Sequence, residues 1–297
     1  PAENEALMEW QPLEAAVETA TGQPFRVRDS RSMGGGCINR AILVSDVSRS
    51  FFVKLNAASL LPMFEAEAAG LDELRSADAI RVPDAVCTGA SDGNAWLVME
   101  YIPMRGPADA RLAGEQLALM HRKQADAFGW RLDNTIGSTP QPNDWMEEWG
   151  AFLREQRLGF QLELAARNGY GGRLQSEGEK LLASLDQLID HAPVPSLLHG
   201  DLWGGNIGYD DGGNPVIFDP AVYYGDREAD LAMTELFGGF GRAFYDAYTD
   251  AGPLDRGYAV SKTLYNLYHI LNHLNLFGGG YAGQAQGMID RLLAEIG

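Results

Sequence analysis

The sequence is poor in cysteine, in basic residues and in long apolar runs, and each shortage narrows the class of protein. Two cysteines among 297 residues cannot form a disulfide framework, so a reducing compartment is expected. Against 41 acidic residues there are only 23 lysines and arginines, and the net charge of −18 disfavours nucleic acid and anionic membranes as partners. No apolar run approaches the roughly 18 residues of a membrane span. The start of the chain also lacks the pattern of a signal peptide, and we expect a cytoplasmic protein.

What is present indicates a folded protein with two unlike halves. A hydrophobic content of 45% is ordinary for a globular chain, and this length suits one large domain or two joined lobes. After an N-terminal helix at about 3–21, short apolar runs separated by turn residues predict an antiparallel meander. The predicted strands lie around Phe25 and Val27 and at 41–44, 51–53, 82–89 and 96–102. Beyond them the helical period dominates, so the pattern predicts an α+β protein.

A glycine-rich turn and a strand lysine indicate a nucleotide site. Gly34, Gly35 and Gly36 lie between the first two predicted strands, and consecutive glycines let backbone N–H groups approach phosphates. Alone they would equally suit a floppy hairpin turn. Lys54 interrupts the apolar run 51–55, where a kinase places the lysine that binds the α- and β-phosphates. An edge lysine with its ammonium in water is the alternative.

The helix predicted at 62–76 offers a partner for Lys54. Glu65 and Glu67 point in directions about 200° apart around a helix, so only one of them can face the sheet. Glu67 lies within the apolar stripe that begins at Phe64, whereas Glu65 falls on the solvent side. The pattern therefore predicts an ion pair between Lys54 and Glu67.

A breaker-rich segment after the last predicted strand indicates a boundary between lobes. Prolines and a glycine follow Ile102 closely, which predicts one lobe at 1–102 and a second, mostly helical lobe at 103–297. In a nucleotide kinase this position is the hinge. We expect extended backbone at Glu100, Tyr101 and Ile102 to bind the adenine edge.

The most informative stretch is 197–206, with its H-x-D-x-x-x-x-N pattern, followed by a predicted hairpin that ends at Asp219. Phosphoryl transfer needs a carboxylate near the attacking hydroxyl and oxygen ligands for Mg²⁺ on the phosphates of ATP. Asp201, Asn206 and Asp219 supply both, although each taken singly would also suit a turn, a cap or a strand end. His199 is interpreted as a buried structural donor and not as a base.

The segment after Asp219 is too short for a phosphorylation-gated protein kinase. Only ten residues separate Asp219 from Asp230, and no A-P-E sequence follows. We interpret Asp230 as a buried acceptor for backbone N–H groups of the catalytic loop. An acid that merely favours the start of a helix is the alternative.

The chain resembles the fructosamine kinase (ketosamine 3-kinase) family over almost its whole length. The T-P-Q-x-N-D-W element at 139–145 and the H-G-D-L-W element at 199–203 are specific to that family among kinase-like folds. Further segments that carry the likeness are 34–39, 218–226 and 236–240. The resemblance implies a protein-kinase-like fold of two lobes. It also implies ATP-dependent phosphorylation of the sugar O3 of a ketosamine, either a small molecule or a glycated protein lysine.

Roles follow from the resemblance position by position. Asp201 would orient or deprotonate the sugar hydroxyl, and Asn206 and Asp219 would bind Mg²⁺. Lys54 would hold the phosphates while paired with Glu67, and the glycine turn would cover them.

Two aromatic side chains and one thiol complete the hypotheses. Trp203 is expected to stack on the substrate, although a core tryptophan is the commoner case. His273 is a second expected substrate contact, with a satisfied buried histidine as the alternative. Cys37 lies in the phosphate-covering turn, where a thiolate would be open to oxidation. A buried, inert thiol is the alternative.

Two rival functions remain at the level of sequence. A related kinase of aminoglycosides, choline or homoserine would share the fold and the Asp201 chemistry. The T-P-Q element counts against it. A pseudokinase would bind a nucleotide without turnover, but it should lack one of the catalytic positions, and all of them are present.

Overall fold

Five antiparallel strands form the N-terminal sheet of the computed structural model, which describes residues 9–34 and 38–296. Their order across the sheet is β1-β2-β3-β5-β4. The strands are β1 (Asp29–Met33), β2 (Arg40–Ser45), β3 (Ser50–Ala57), β4 (Ala85–Ser91) and β5 (Asn94–Glu100). Short connections join β1 to β2, β2 to β3 and β4 to β5, whereas the longer connection from β3 to β4 contains a helix.

The first predicted strand is wrong, whereas the other four are confirmed with shifted ends. Phe25 and Val27 lie outside any strand, and the Phe25 ring is buried in the core instead. The edge position is taken by β1, whose residues are polar and largely exposed. An edge strand with little apolar surface to bury has no alternating pattern, so apolar runs could not reveal it.

Two helices cover opposite faces of this sheet. The first, α1 (Trp10–Thr21), buries Leu13 and Val17 in a core shared with Val44 and Val98. The second, α2 (Leu61–Arg75), belongs to the larger core that continues into the C-terminal half. The sheet is thereby fixed between a small outer core and the main core of the molecule.

The C-terminal half is mostly helical, as predicted. A π-helical segment, Leu153–Gly159, joins α4 to α5, where sequence periodicity predicts one continuous helix. The helices are α3 (Ala110–Met120), α4 (Trp149–Phe152), α5 (Phe160–Arg167), α6 (Arg173–Ser184), α7 (Arg227–Leu236), α8 (Arg242–Ala251), α9 (Tyr258–Phe277) and α10 (Ala282–Ile296). Within the described residues, no helix combines the length and apolarity needed to cross a membrane.

Three small strand pairs organise the segments between these helices. The pairs are β6 (Asn134–Ile136) with β7 (Thr139–Gln141), β8 (Ser196–Leu198) with β11 (Tyr223–Gly225), and β9 (Ile207–Tyr209) with β10 (Pro215–Ile217). The β9–β10 hairpin is confirmed. The sequence does not indicate the other two pairs, because three-residue strands such as β6 and β7 are too short to show a period.

Candidate active site

The side chain of Lys54 joins the two halves of the site. Its Nζ atom lies 2.5 Å from Glu67 Oε1 on α2 and 2.5 Å from Asp219 Oδ1 in the other half. Burial alone would lower the pKa of Lys54, but the two carboxylates outweigh it and raise the pKa. The ammonium is therefore charged and held at the base of the cleft between sheet and helices.

The choice of Glu67 over Glu65 is explained by the packing of α2. Phe64 and Leu71 are buried on the inner face of this helix, and Glu67 lies on the edge of that face with a side chain 11% exposed. Glu65 is exposed. The structure thus brings together the predicted pair.

The predicted catalytic loop, within 197–206, is held in place by the buried carboxylate of Asp230. Its carboxylate accepts the backbone N–H groups of His199 at 2.7 Å and Gly200 at 2.8 Å. Gly200 has a φ of 85°, and a Cβ there would lie 1.9 Å from the carbonyl oxygen of Ala221. Only glycine therefore fits this close approach between the loop and the segment after Asp219.

His199 is a structural donor, as predicted. Its ring is buried, Nε2 donates to the carbonyl oxygen of Phe218 at 2.9 Å, and Nδ1 accepts from the backbone N–H of Asp201 at 3.2 Å. Burial lowers the pKa of His199, so the ring is neutral. Both nitrogens are engaged, which leaves neither to take a proton from a substrate.

The pKa of the Asp201 carboxyl suits a general base. Burial, together with the charges of Asp219 and Asp230, raises the pKa of its carboxyl to about 7. A general base is most effective when its pKa lies near the working pH. The side chain is half-buried, so it remains open to a substrate.

Asn206 and Asp219 place two oxygen ligands beside Asp201. The Nδ2 atom of Asn206 donates to the backbone oxygen of Asp201 at 2.8 Å, so its amide oxygen is directed away from that bond. Asp219 has a φ of 56°, a left-handed backbone that is unusual for a residue with a side chain. An amide oxygen and a carboxylate are the donors that Mg²⁺ prefers, so this pair fits the ion.

A buried network of side-chain amides holds the segment after Asp219 in place. This network was not predicted from the sequence. Gln141 Nε2 donates to the carbonyl oxygen of Ala221 at 3.1 Å, and Asn134 Nδ2 donates to that of Val222 at 2.8 Å. Tyr268 donates in turn to Gln141 Oε1 at 2.7 Å. The T-P-Q element therefore supports the segment that follows Asp219.

Arg157 completes this network, and none of its partners among the described residues is a carboxylate. It is 1% exposed, and its guanidinium donates to the oxygens of Pro142 and Asn143, both at 2.6 Å. Its charged carbon lies 4.0 Å from the ring centre of Tyr223. The π-helical segment thus brings an arginine to the aromatic core beneath the loop, which no sequence periodicity indicates.

The residues predicted to form the hinge lie at the end of β5 and directly after it, and one of their groups is already engaged. The backbone N–H of Glu100 donates to Asp84 O at 2.8 Å, and the Glu100 carboxylate pairs with Arg81 at 2.8 Å. Tyr101 is half-buried and Ile102 is 5% exposed. Any adenine contact by Glu100 must therefore use its carbonyl oxygen.

The phosphate-covering turn lies only partly within the described residues. Gly34 is exposed just after β1, while Gly35, Gly36 and Cys37 lie outside the described residues, as does the redox hypothesis for that thiol. The far side of the turn is anchored by Asn56, whose Nδ2 donates to Ile38 O at 3.1 Å. The turn therefore begins and ends on the sheet that carries Lys54.

Trp203 and His273, the two expected substrate contacts, meet through a third ring. Trp203 is 40% exposed, and its ring lies edge-on to Phe237 with 6.2 Å between ring centres. Phe237 in turn lies 5.0 Å from the His273 ring. No sequence pattern indicates that the Phe237 ring lies between those of Trp203 and His273.

The sequence profile of the fructosamine kinase family matches residues 9–295. The chain is 48% identical to a protein named a probable ketoamine kinase from Synechocystis, over 96% of this chain and 97% of that protein. It is 42% identical to the chloroplastic protein-ribulosamine 3-kinase of Arabidopsis thaliana, over 98% and 90% of the two chains.

Solved structures agree with these relatives. A crystal structure from Haemophilus somnus, named for fructosamine-3-kinase, superposes with a TM-score of 0.88 at 31% identity and covers 96% of this chain and 97% of that one. An aminoglycoside phosphotransferase solved with AMP-PNP and hygromycin B has a TM-score of 0.61 at 17% identity, covers 95% and 97% of the two chains, and shares the fold alone. The two-lobed, protein-kinase-like fold is thereby established, and the chain belongs to the fructosamine kinase family.

Proposed function

We propose that this protein transfers the γ-phosphoryl group of ATP to a sugar hydroxyl of a ketosamine, at O3 in a fructosamine or ribulosamine. The observation that carries the proposal is the convergence of Asp201, Asn206 and Asp219 with the Lys54–Glu67 pair in a member of this family. The substrate is a small ketosamine or a glycated protein lysine. The cysteine content favours the cytoplasm as its place of action.

The reaction follows from the geometry around Asp201. The sugar oxygen attacks the γ-phosphorus as Asp201 takes its proton, and the bond from that phosphorus to the bridging oxygen of ADP breaks. Lys54 neutralises the α- and β-phosphates, and the glycine turn at 34–36 covers them. Backbone at 100–102 binds the adenine.

Asn206 and Asp219 are the residues that would hold Mg²⁺. When bound, the ion neutralises charge on the phosphate oxygens. Asp219 also contacts Lys54 at 2.5 Å, so the ammonium and the metal ligand are set relative to each other before ATP arrives. Most catalysis of phosphoryl transfer is positioning of this kind.

Replacing Asp201 tests the assignment. We expect Asp201→Ala to lower kcat by about 10²- to 10⁴-fold, the usual contribution of a general base, while ATP binding measured by calorimetry persists. Phosphate transfer to fructosyl- and ribulosyl-lysine would be followed by ³¹P NMR. Asp211→Asn is the matched control, because that carboxylate is exposed and, in the part of the chain that the structure describes, its one ion pair is with Arg105.

Two outcomes would contradict the proposal. Turnover by Asp201→Ala equal to that of the unmodified protein would remove Asp201 from the chemistry. Phosphorylation of aminoglycosides, choline or homoserine with none of the ketosamines would favour the rival class of small-molecule kinase.

A further inference from the structure

Five aromatic rings beside the catalytic loop form a continuous, partly exposed surface that we name the aromatic wall. The members are Trp203, Phe237, His273, Phe277 and Tyr281. Three of them are unusually open for such side chains, since Trp203 is 40% exposed, Phe237 41% and Phe277 53%. A contiguous exposed aromatic surface of this kind marks a binding site more often than a structural one.

The wall begins directly at the catalytic aspartate. The backbone N–H of Trp203 donates to Asp201 O at 3.2 Å. Gly205 lets the indole fold back over the loop, because a Cβ there would lie 2.3 Å from the ring. Phe237 directly follows α7, the helix that carries Asp230. The wall is therefore fixed to the elements that position the reacting oxygen.

His273 contributes an acceptor at the centre of the wall. Its Nδ1 lies 2.7 Å from the carbonyl oxygen of His269, which can only accept, so Nδ1 carries the proton. Burial lowers the pKa of His273, which keeps the ring neutral and leaves Nε2 with a lone pair. Among the described residues no donor is bonded to that nitrogen. Rings of Phe237, Phe277 and Tyr281 lie 5.0, 5.5 and 5.2 Å from the His273 ring.

Aromatic faces with one neutral acceptor suit a hydrophobic cation that carries an N–H. Ring faces attract ammonium groups, and a lone pair on Nε2 accepts their proton in a hydrogen bond. No member of the wall is charged, and the chain as a whole carries a net charge of −18, which favours a cationic ligand over an anionic one.

We infer that the aromatic wall binds the protonated amine of the ketosamine, with Phe237 and Phe277 as its main faces and His273 Nε2 as the acceptor of its N–H. The inference rests on the proposed function. In a ketosamine only carbons C1, C2 and C3 separate that amine from O3, and the wall begins at Trp203, two residues after Asp201. The wall thus selects for the amine and distinguishes a ketosamine from a plain ketose.

A pair of substrates that differ only in the charged atom tests this inference. One is fructosyl-lysine with its α-groups blocked, and the other is the ether analogue in which oxygen replaces the linking nitrogen. We expect the unmodified protein to prefer the amine by about 5- to 30-fold in kcat/KM, the range of a partly desolvated cation–π contact. In Phe237→Leu and Phe277→Leu, which keep an apolar side chain but remove the ring, this preference should fall towards one.

The control is Leu119→Ala, since Leu119 is also 44% exposed but lies on α3 away from the wall. It should keep the full preference. Equal kcat/KM values for amine and ether in the unmodified protein would overturn the inference alone, as would an unchanged preference in both leucine variants. Failure to phosphorylate either compound would instead remove the proposed function, and the inference with it.

Discussion

At the scale of single residues, the decisive feature is a buried ammonium shared by two carboxylates. Lys54 bonds Glu67 and Asp219 at the same distance of 2.5 Å. A buried charge is tolerated only when it is paired, so each carboxylate limits how far the other can draw the lysine. Glu67 is thus a positioning residue for Lys54 and, through it, for Asp219, the proposed metal ligand.

Replacing Glu67 by its amide should separate these effects. We expect Glu67→Gln to lose about 1–3 kcal/mol of unfolding free energy and to raise the KM for ATP, because the ammonium loses half of its countercharge and moves towards Asp219. Glu65→Gln, an exposed neighbour on α2, is the matched control. Denaturant unfolding and ATP kinetics measure both; identical behaviour of the two variants would contradict the assigned role.

Much of this residue-level arrangement could be predicted from sequence. The helical stripe separated Glu67 from Glu65, and the spacing of Asp201, Asn206 and Asp219 indicated a common site. The contact of Trp203 with His273 through Phe237 could not be predicted, because 236–240 was recognisable only as a segment of family likeness and the exposure of Phe237 is set by the end of α7.

At the scale of elements, the segment between Asp219 and α7, residues 220–226, is held in a fixed conformation, and we call it the bridge. Asp219 has a left-handed φ of 56°, a strain that persists only where the surroundings determine it. The surroundings are the carbonyls of Ala221 and Val222, held by Gln141 and Asn134. The bridge is too short to be the phosphorylation-gated activation segment of a protein kinase.

Removing one amide of this network should disturb the metal ligand more than the fold. We expect Gln141→Leu to lose about 1–3 kcal/mol of stability, from the unsatisfied Ala221 carbonyl, and to raise the Mg²⁺ concentration needed for half-maximal activity. Gln175→Leu is the matched control, because the amide of Gln175 on α6 likewise donates to backbone carbonyls, in its case those of Leu162 and Tyr170.

The two variants separate positioning from stability. Similar losses in unfolding free energy are expected for both, with a changed Mg²⁺ dependence only in Gln141→Leu. An unchanged Mg²⁺ dependence in both variants would show that the amide network stabilises the fold without positioning Asp219.

These elements also show which structural features sequence patterns cannot predict. The strands β6 and β7 have three residues each, too few to show an alternating pattern. The T-P-Q element was recognisable as a family signature, but its physical role depends on burial among β7, α9 and the bridge. Tertiary packing of that kind leaves no periodic trace in the chain.

At the scale of the whole molecule, the bridge connects the N-terminal half, which contains the five-stranded sheet, to the helical half. Tyr224 donates to Glu73 Oε1 on α2 at 2.7 Å, and Lys123 pairs with the same carboxylate at 3.3 Å. Gly70 on α2 leaves room for Val222, since a Cβ there would lie 3.3 Å from its methyl group. The helix that presents Glu67 is thereby anchored to the segment that presents Asp219, and both catalytic arrangements are built into the fold.

Global stability should depend on pH through His191, which joins the segment before β8 to α7 and α9. Its Nε2 donates to Asp226 at 2.7 Å, and Tyr265 donates to the same carboxylate at 2.5 Å. The hydrogen bond to Asp226, aided by the charges of Asp226 and Glu228, outweighs partial burial and raises the pKa of His191 to about 9.

The sign of the effect follows from proton linkage. An unfolded histidine has a pKa of about 6.5, so the folded state binds more protons between that pH and about 9. The stabilisation by His191, about 1–3 kcal/mol, is complete below pH 6.5 and is lost as the pH rises through 9. The difference in unfolding free energy between the unmodified protein and His191→Gln should therefore shrink across this interval, as measured by urea titrations.

His273→Gln is the control with the opposite sign. Burial lowers the pKa of His273, so its folded state binds fewer protons than the unfolded chain, and its contribution grows as the pH rises towards 6.5. The two variants should thus diverge from the unmodified protein in opposite directions along the pH axis. A difference for His191→Gln that stays constant from pH 6 to pH 9.5 would mean that His191 acts as a neutral hydrogen-bond donor and not as the cation of a buried ion pair.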